Sequence, residues 1–322
     1  MRSSPQIPTV TVTPRSDLPD IHGLIVVDKP PGWTSHDVVA RIRRLAGMKR
    51  VGHGGTLDPF ATGVVVVAVG RATRLLQYVQ NSDKRYLVHA VMGVATDTRD
   101  VDGDVVGRHA GPDLPNRTDI ESALANVVGN IEQVPPAYSA IKVQGRRLYE
   151  RARAGEVVEP PTRTVRIDAI DVLDYDQPDL LLDVSCGKGT YIRSLVHDLG
   201  VSLGCYAYCH GLRRVRNGPF SIADAWTLDE LAELDLREQW PDVAIHPDRA
   251  VADLETIILG GQATEAWYHG RPVEISVPGS RSEPALVRVY TVDGAFAGIG
   301  RIEANATLRP SFVFSAIEKG QV

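Results

Sequence analysis

A chain of 322 residues, 43% apolar and 23% charged, has the make-up of a globular protein with length for two domains and a sizeable core. No apolar run approaches the ~20 residues that span a bilayer, and the opening MRSSPQIPTVTVTPRS lacks the apolar centre of a signal peptide, so a cytoplasmic location without a membrane partner is expected. The net charge of −5 disfavours a polyanionic partner only on average, because residues 221–322 hold 16 acids against 8 bases and the first 220 residues are left with 24 acids and 27 bases.

Residues 1–21, rich in Pro, Ser and Thr, read as a flexible extension. GLIVVD (23–28) is a short buried strand that ends in the turn Lys29-Pro30-Pro31-Gly32. Ser35 then caps a helix whose apolar residues Val38, Val39, Ile42 and Leu45 recur at helical spacing, with Gly47 as its stop. Its outer face is basic. Arg41, Arg43 and Arg44, with Lys49 and Arg50 beyond, taken alone describe a solvated helix face.

Residues 51–70, VGHGGTLDPFATGVVVVAVG, carry His53 and Asp58 on a Gly-rich turn directly into a β-branched run that should be a strand buried on both faces. Pro59 restricts Asp58 to extended geometry, so the turn aims its carboxylate. Asp-Pro is ordinary turn chemistry, and only partners elsewhere can give Asp58 a further meaning.

Residues 71–80 look helical, and KRYLVHAVMGV (84–94) alternates as a strand with Tyr86 near its start. DTRDVDGD (97–104) resembles a calcium loop, but flanking helices and a Glu at the twelfth position are missing, so an acidic hairpin turn is expected. Residues 118–121 form a capping box for a helix reaching about residue 128. IEQVPPAYSAIKV (131–143) reads as an edge strand broken by Pro135-Pro136, followed by a helix from Gln144; Lys142, Arg146, Arg147, Arg151 and Arg153 make this a second basic group. Strands are expected at 164–175, 180–186 and 212–216. GKGTYIRSL (187–195) is a turn and helix start without the spacing of a phosphate loop, and it points Arg193 toward a partner. A capping box at 227–230 opens a helix to about 234, residues 236–253 read as a linker, and a short helix with strands at 272–277, 285–292 and 295–302 suggests a small barrel. Cys186, Cys205 and Cys209 read as free thiols; Cys205, Cys209 and His210 lack a second pair at zinc-finger spacing, so no metal is expected.

GHGGTLDPFATGVVVVAVGRATR, KRYLVHAVMGVATDTRD, VPPAYSAIKVQGRRLYERARAGE and CGKGTYIRSLVHDLG, in this order, resemble the TruB family of tRNA pseudouridine synthases over roughly residues 23–216. Residues 254–314 more loosely resemble the PUA-type RNA-binding barrel of these enzymes. Gly54 stands where the family varies, and Phe60 replaces its more usual Leu; both imply packing adjustments only. The resemblance implies an α+β fold: a mixed, mainly antiparallel central sheet flanked by helices over residues 22–235, with a PUA-like barrel at 254–322. It implies isomerisation of the T-loop uridine at tRNA position 55, with tRNA as partner, no cofactor and no obligate protein partner.

By the same resemblance Asp58 is the essential carboxylate, Arg193 pairs with it, and Tyr86 stacks on the target base. A carboxylate entering a dry pocket needs such a cation to stay ionised. Leu212 walls the pocket, His53 assists placement of the flipped nucleotide, and Lys29 and Tyr191 contact phosphates or line the site. Arg281, Arg288 and Arg309 form a basic edge toward the acceptor side. Two rivals remain at this point. A glycosidase needs two cooperating carboxylates, and no acid follows Asp58 until Asp83. A non-catalytic tRNA chaperone would open the same RNA without chemistry.

Overall fold

The computed structural model describes residues 21–139, 142–143, 146–147, 160–275 and 284–314, with only the backbone at 142–143 and 146–147. Residues 1–20 of the proposed N-terminal extension, Arg151, Arg153 and Arg281 lie outside these residues, and Ile21, the extension's last residue, is buried in the core. The chain begins with β1 (Gly23–Lys29), α1 (Ser35–Ala46), β2 (Val51–His53), β3 (Thr62–Val69), α2 (Leu76–Asn81) and β4 (Lys84–Met92). A side hairpin of β5 (Val94–Thr96) and β6 (Val105–Arg108) precedes α3 (Arg117–Ala125) and β7 (Gly129–Gln133). Next come the two-residue strands β8 (Lys142–Val143) and β9 (Arg146–Arg147), then β10 (Arg163–Asp176), β11 (Asp179–Cys186), α4 (Ile192–Ser202) and β12 (Ala207–Asn217). β13 (Phe220–Ser221), β14 (Ala225–Trp226), α5 (Leu228–Ala232) and α6 (Trp240–Val243) complete the first unit.

Ten strands form one sheet in the order β14, β1, β3, β12, β4, β11, β10, β7, with β2 on β3 and β13 on β12. Only β1 with β14 and β3 with β12 run parallel. The mixed, mainly antiparallel sheet with flanking helices is the architecture expected. Long-range pairing puts β12 between β3 and β4, and this brings the turn before β3, the start of β4 and the middle of β12 together. One face of β1 and β3, through Ile25, Val27, Val65 and Val67, joins a core with Val38, Ile42 and Leu195 from α1 and α4. The opposite face, through Leu24, Val26, Val64 and Val66, packs on Phe296, Ile299 and Phe312 of the C-terminal unit. β3 is therefore buried on both faces, as its unbroken β-branched run requires.

The C-terminal unit is a five-stranded sheet ordered β15 (Glu255–Leu259), β17 (Ala285–Thr291), β18 (Phe296–Ile302), β19 (Thr307–Val313), β16 (Val273–Glu274), covered by α7 (Gly261–Tyr268). It curls into a half-barrel. β15 and β19 add strands to those expected, and the short helix follows a strand instead of opening the unit. Leu236, Trp240, Val243 and Val251, in the stretch read as a linker, are buried, and Ile245 bridges to Leu24.

Local boundaries differ where a better cap lies nearby. Thr34, not Ser35, caps α1: its side chain accepts from Asp37 N while the Asp37 carboxylate accepts from Thr34 N. Ser35 is buried and engages Leu57 instead. Asn116 with Asp119 caps α3, which ends at Ala125. β8 and β9 pair as a hairpin, so Arg146 and Arg147 are not in a helix.

Candidate active site

Asp58 sits in the loop between β2 and β3, and the backbone of that loop is held carbonyl by carbonyl. Gly54 O accepts from Asn217 Nδ2 (2.9 Å), Gly55 O and Thr56 O from Arg214 (3.2 Å each), and Leu57 O from Ser35 Oγ (3.3 Å). Asp58 O accepts from Ala61 N, and Pro59 O from Gly32 N and Lys29 Nζ. A loop with all these acceptors engaged is a rigid mount. Gly63, at the loop's exit, has φ +101°, and a Cβ there would come within 2.3 Å of Arg214 O, so only glycine lets β3 lie this close to β12.

The mount delivers Asp58 to Arg193. Arg193 is the second residue of α4 and only 3% exposed. Its Nη2 donates to Asp58 Oδ1 at 3.1 Å, and its Nε lies 2.9 Å from Oδ2 as an ion contact too poorly aligned to count as a hydrogen bond. The Asp58 side chain keeps 28% of its surface exposed, so the pair stands at an open edge and not inside the core. On the other side, Arg193 Nη1 donates to Asp100 Oδ2 (2.9 Å) and Thr98 O (3.0 Å), and Nη2 donates to Tyr138 O (2.9 Å). Asp100 is buried; loss of hydration pushes its carboxyl above the usual range, against the pull of Thr98 and Arg193. The acid expected in a simple hairpin turn is thus the second anchor of Arg193.

Tyr86 lies on the core-facing side of β4, buried at 8% exposure, directly across from Arg214 and in one cluster with Leu57 and Leu212. Burial raises its phenol pKa, and the Arg214 guanidinium pulls the other way. A neutral phenol is the result, which suits stacking better than proton abstraction. Leu212, two residues before Arg214 on β12, supplies an apolar wall to the same space. His53, at the end of β2, stacks edge-on against His36 with ring centroids 5.0 Å apart. Burial, then the charges of His36 and Arg214, hold its pKa down at about 4, and its Nδ1 is enclosed without a hydrogen-bond partner.

Of the two roles expected for Lys29, lining the site or contacting phosphate, its geometry disfavours the second. Its side chain is fully buried, and Nζ donates to Pro30 O (2.9 Å), Trp33 O (2.7 Å) and Pro59 O (3.0 Å). All three ammonium protons are spent on carbonyls, so Lys29 braces the turn beside Asp58 and has none left for a phosphate. Desolvation lowers its pKa to about 8. Tyr191 caps α4, with Arg163 stacked 4.6 Å from its ring centroid. Its peptide is gripped at both ends by the buried Gln133, whose Nε2 donates to Tyr191 O (3.0 Å) and whose Oε1 accepts from Tyr191 N (2.8 Å). In the C-terminal unit, Arg288 donates to Leu254 O and Arg309 lies 3.7 Å from Glu303.

Gln133, Arg214 and Asn217 were not singled out by residue type and spacing, and Asp100 was read only as part of an acidic hairpin turn. Gln133 and Asp100 border or fall within the motif blocks that carry the resemblance, which was the one available signal. Among the described residues no three His, Cys, Asp or Glu side chains group as a metal site. Cys186, Cys205 and Cys209 are buried thiols whose pKa values burial raises. No described helix is long and apolar enough to cross a membrane.

An arginine-held aspartate beside a buried tyrosine and leucine, on a mixed and mainly antiparallel sheet, is the arrangement that the resemblance to pseudouridine synthases implies. Comparison with known proteins narrows the class. Residues 43–192 match the TruB family pseudouridylate synthase N-terminal domain, 193–258 the tRNA pseudouridylate synthase B C-terminal domain, and 256–314 the pseudouridine synthase II TruB C-terminal domain. A tRNA pseudouridine synthase B of Trichormus variabilis is 40% identical over 92% of this chain and all of its own length, and one of Symbiobacterium thermophilum is 46% identical over 78% and 83%. Among solved structures, a Cbf5-Nop10-Gar1 complex aligns with TM-score 0.71 and 27% identity over 95% of this chain and 91% of its own. An H/ACA RNP bound to a substrate RNA containing 2′-deoxyuridine aligns at 0.69 and 26% over 91% and 85%. The chain belongs to the TruB family of pseudouridine synthases, and is an isomerase.

Proposed function

We propose that this enzyme converts the T-loop uridine of tRNA, position 55, to pseudouridine, with Asp58 as the reacting carboxylate. The observation that carries the reading is the half-open Asp58–Arg193 pair: the carboxylate is aimed by a buried cation yet leaves surface free for a nucleotide. The names of the relatives, tRNA pseudouridine synthase B, support tRNA as the substrate.

In the reaction the C1′–N1 bond breaks, the uracil turns, C5 bonds to C1′, and the C5 proton is exchanged for one on N1. Composition and oxidation state are unchanged, so side chains suffice. Asp58 serves as nucleophile toward ribose or base, or accepts a ribose proton; each route needs an ionised, directed carboxylate, and Arg193 supplies both charge and direction. Tyr86 and Leu212 offer the base a flat apolar berth. A loop uridine cannot be reached in place and must be extruded at a cost of a few kcal/mol, which basic surface around Arg41–Arg50 offsets through phosphate contacts.

Hydrolysis by a carboxylate pair is disfavoured by how Asp100 is spent. It is buried, and its oxygens are taken by Arg193, Thr98 Oγ1 and Asp102 N. It cannot serve as the second acid of a glycosidase.

Asp58→Asn should abolish pseudouridine formation on a T-arm stem-loop, read by carbodiimide mapping, while RNA affinity stays within a few-fold. Turnover near wild type in that variant would sink the assignment. Arg193→Lys should lose most activity, because a point charge cannot span two carboxylates and two carbonyls; unchanged turnover would remove Arg193 from the mechanism.

A further inference from the structure

Arg214 is 1% exposed; three of its donors run to backbone carbonyls, and its guanidinium also engages the Tyr86 phenol. Nε donates to Val64 O at 2.7 Å, Nη1 to Thr56 O at 3.2 Å and Nη2 to Gly55 O at 3.2 Å. Three of its donors therefore tie the two ends of the Asp58 loop together: Gly55 and Thr56 before the aspartate, Val64 after it. Its own peptide pairs in register with Gly63, where no side chain could be accommodated. Across the sheet it faces Tyr86. A desolvated guanidinium is an expensive way to satisfy carbonyls that water could satisfy on a surface loop. Its planar fork, however, fixes direction as well as distance, and a loop with several glycines needs direction fixed.

We propose that Arg214 is a positioning residue for the isomerisation: it sets the backbone that presents Asp58, as Arg193 sets the carboxylate, and registers both against Tyr86. The division of labour is geometric. Arg193 reaches Asp58 from helix α4, Arg214 reaches the loop from strand β12, and the two guanidiniums share no acceptor. The proposal rests on the isomerase reading above, and the test separates the two.

The experiment compares wild type, Arg214→Lys and Arg214→Ala on a T-arm stem-loop, with melting temperature measured for each. A lysine cannot reach three carbonyls in different directions, and an ångström of displacement at a reacting carboxylate costs about a hundredfold in rate. Arg214→Lys should therefore lose about a hundredfold in kcat with KM changed by only a few-fold, at temperatures where the variant is folded. Added guanidinium ion at millimolar concentration should recover part of the activity of Arg214→Ala and none in Arg214→Lys, whose ammonium blocks the site. If Arg214→Ala does not fold, the kcat and KM of Arg214→Lys carry the test. Wild-type kcat in folded Arg214→Lys, or a loss confined to KM, would overturn the positioning role. A wild-type enzyme inert on the stem-loop would instead overturn the isomerase reading itself.

Discussion

At the scale of single residues, the site is one guanidinium shared by two carboxylates of unequal burial. Asp58 is 28% exposed on its side chain and Asp100 7%, so the two should respond differently to removal of charge. Asp58→Asn leaves Arg193 paired with Asp100, and the fold should keep its melting temperature. Asp100→Asn leaves the buried face of Arg193 short of a counter-charge; breaking such a pair costs about 3–5 kcal/mol, so it should lower the melting temperature and the activity together. Calorimetry of the two variants checks this, and equal melting temperatures would contradict it. His53 gives a pH dependence. Its folded pKa of about 4 lies below the unfolded value, so between these the unfolded chain binds more protons and stability falls as pH falls from about 6.5 toward 4. His53→Gln should flatten that acid limb in urea midpoints measured across the range; an unchanged limb would assign it elsewhere. Asp58, Arg193 and Tyr86 were legible in the sequence only through the motif blocks. Asp100 was not, because a local reading of DTRDVDGD sees a turn, and the partner that gives it meaning is 93 residues away.

At the scale of elements, the helix that carries Arg193 is seated by a strand edge. Gln133, the last residue of β7, is fully buried and clasps the Tyr191 peptide two positions before Arg193. Ser194 Oγ donates to Val134 O at 2.8 Å, so the adjacent residues Gln133 and Val134 hold Tyr191 and Ser194, three positions apart at the helix start. Gln133→Ala leaves the Tyr191 N–H unpaired, while its carbonyl keeps the bond from Leu195 N, and should cost about 1–3 kcal/mol. Because the freed peptide precedes Arg193, kcat on the stem-loop should fall as well; full activity in a folded variant would make the clasp purely structural. Element types were readable because alternation and β-branching are local, as in residues 84–94 and 164–175. Caps shifted by one residue at Thr34 and by two at Asn116, where neighbours of similar chemistry competed. Strand order was not readable, since placing β12 between β3 and β4 depends on contacts more than a hundred residues apart, such as Arg213 with Thr62.

At the scale of the whole molecule, β3 is a common wall. Val65 and Val67 face the core that holds Tyr86 and Leu212, and Val64 and Val66 face Phe296, Ile299 and Phe312 of the C-terminal unit. The run VVVVAV announced burial on both faces but named no partner for the second face, and the acidic composition of residues 221–322 gave no hint of an apolar dock. Arg74 closes the junction by lying 4.7 Å over the Phe312 ring. The dock therefore backs the strand whose entry loop carries Asp58, while the loop's own braces come from β1, α1 and β12. Phe312→Ala should accordingly separate stability from chemistry. Loss of a ring buried at 5% exposure costs about 3–5 kcal/mol and should lower the melting temperature clearly. Turnover of a saturating stem-loop, measured well below that temperature, should stay near wild type, because Lys29, Ser35, Arg214 and Asn217 still hold the mount. A collapse of kcat in the folded variant would mean that the second unit sets the geometry of Asp58 through β3.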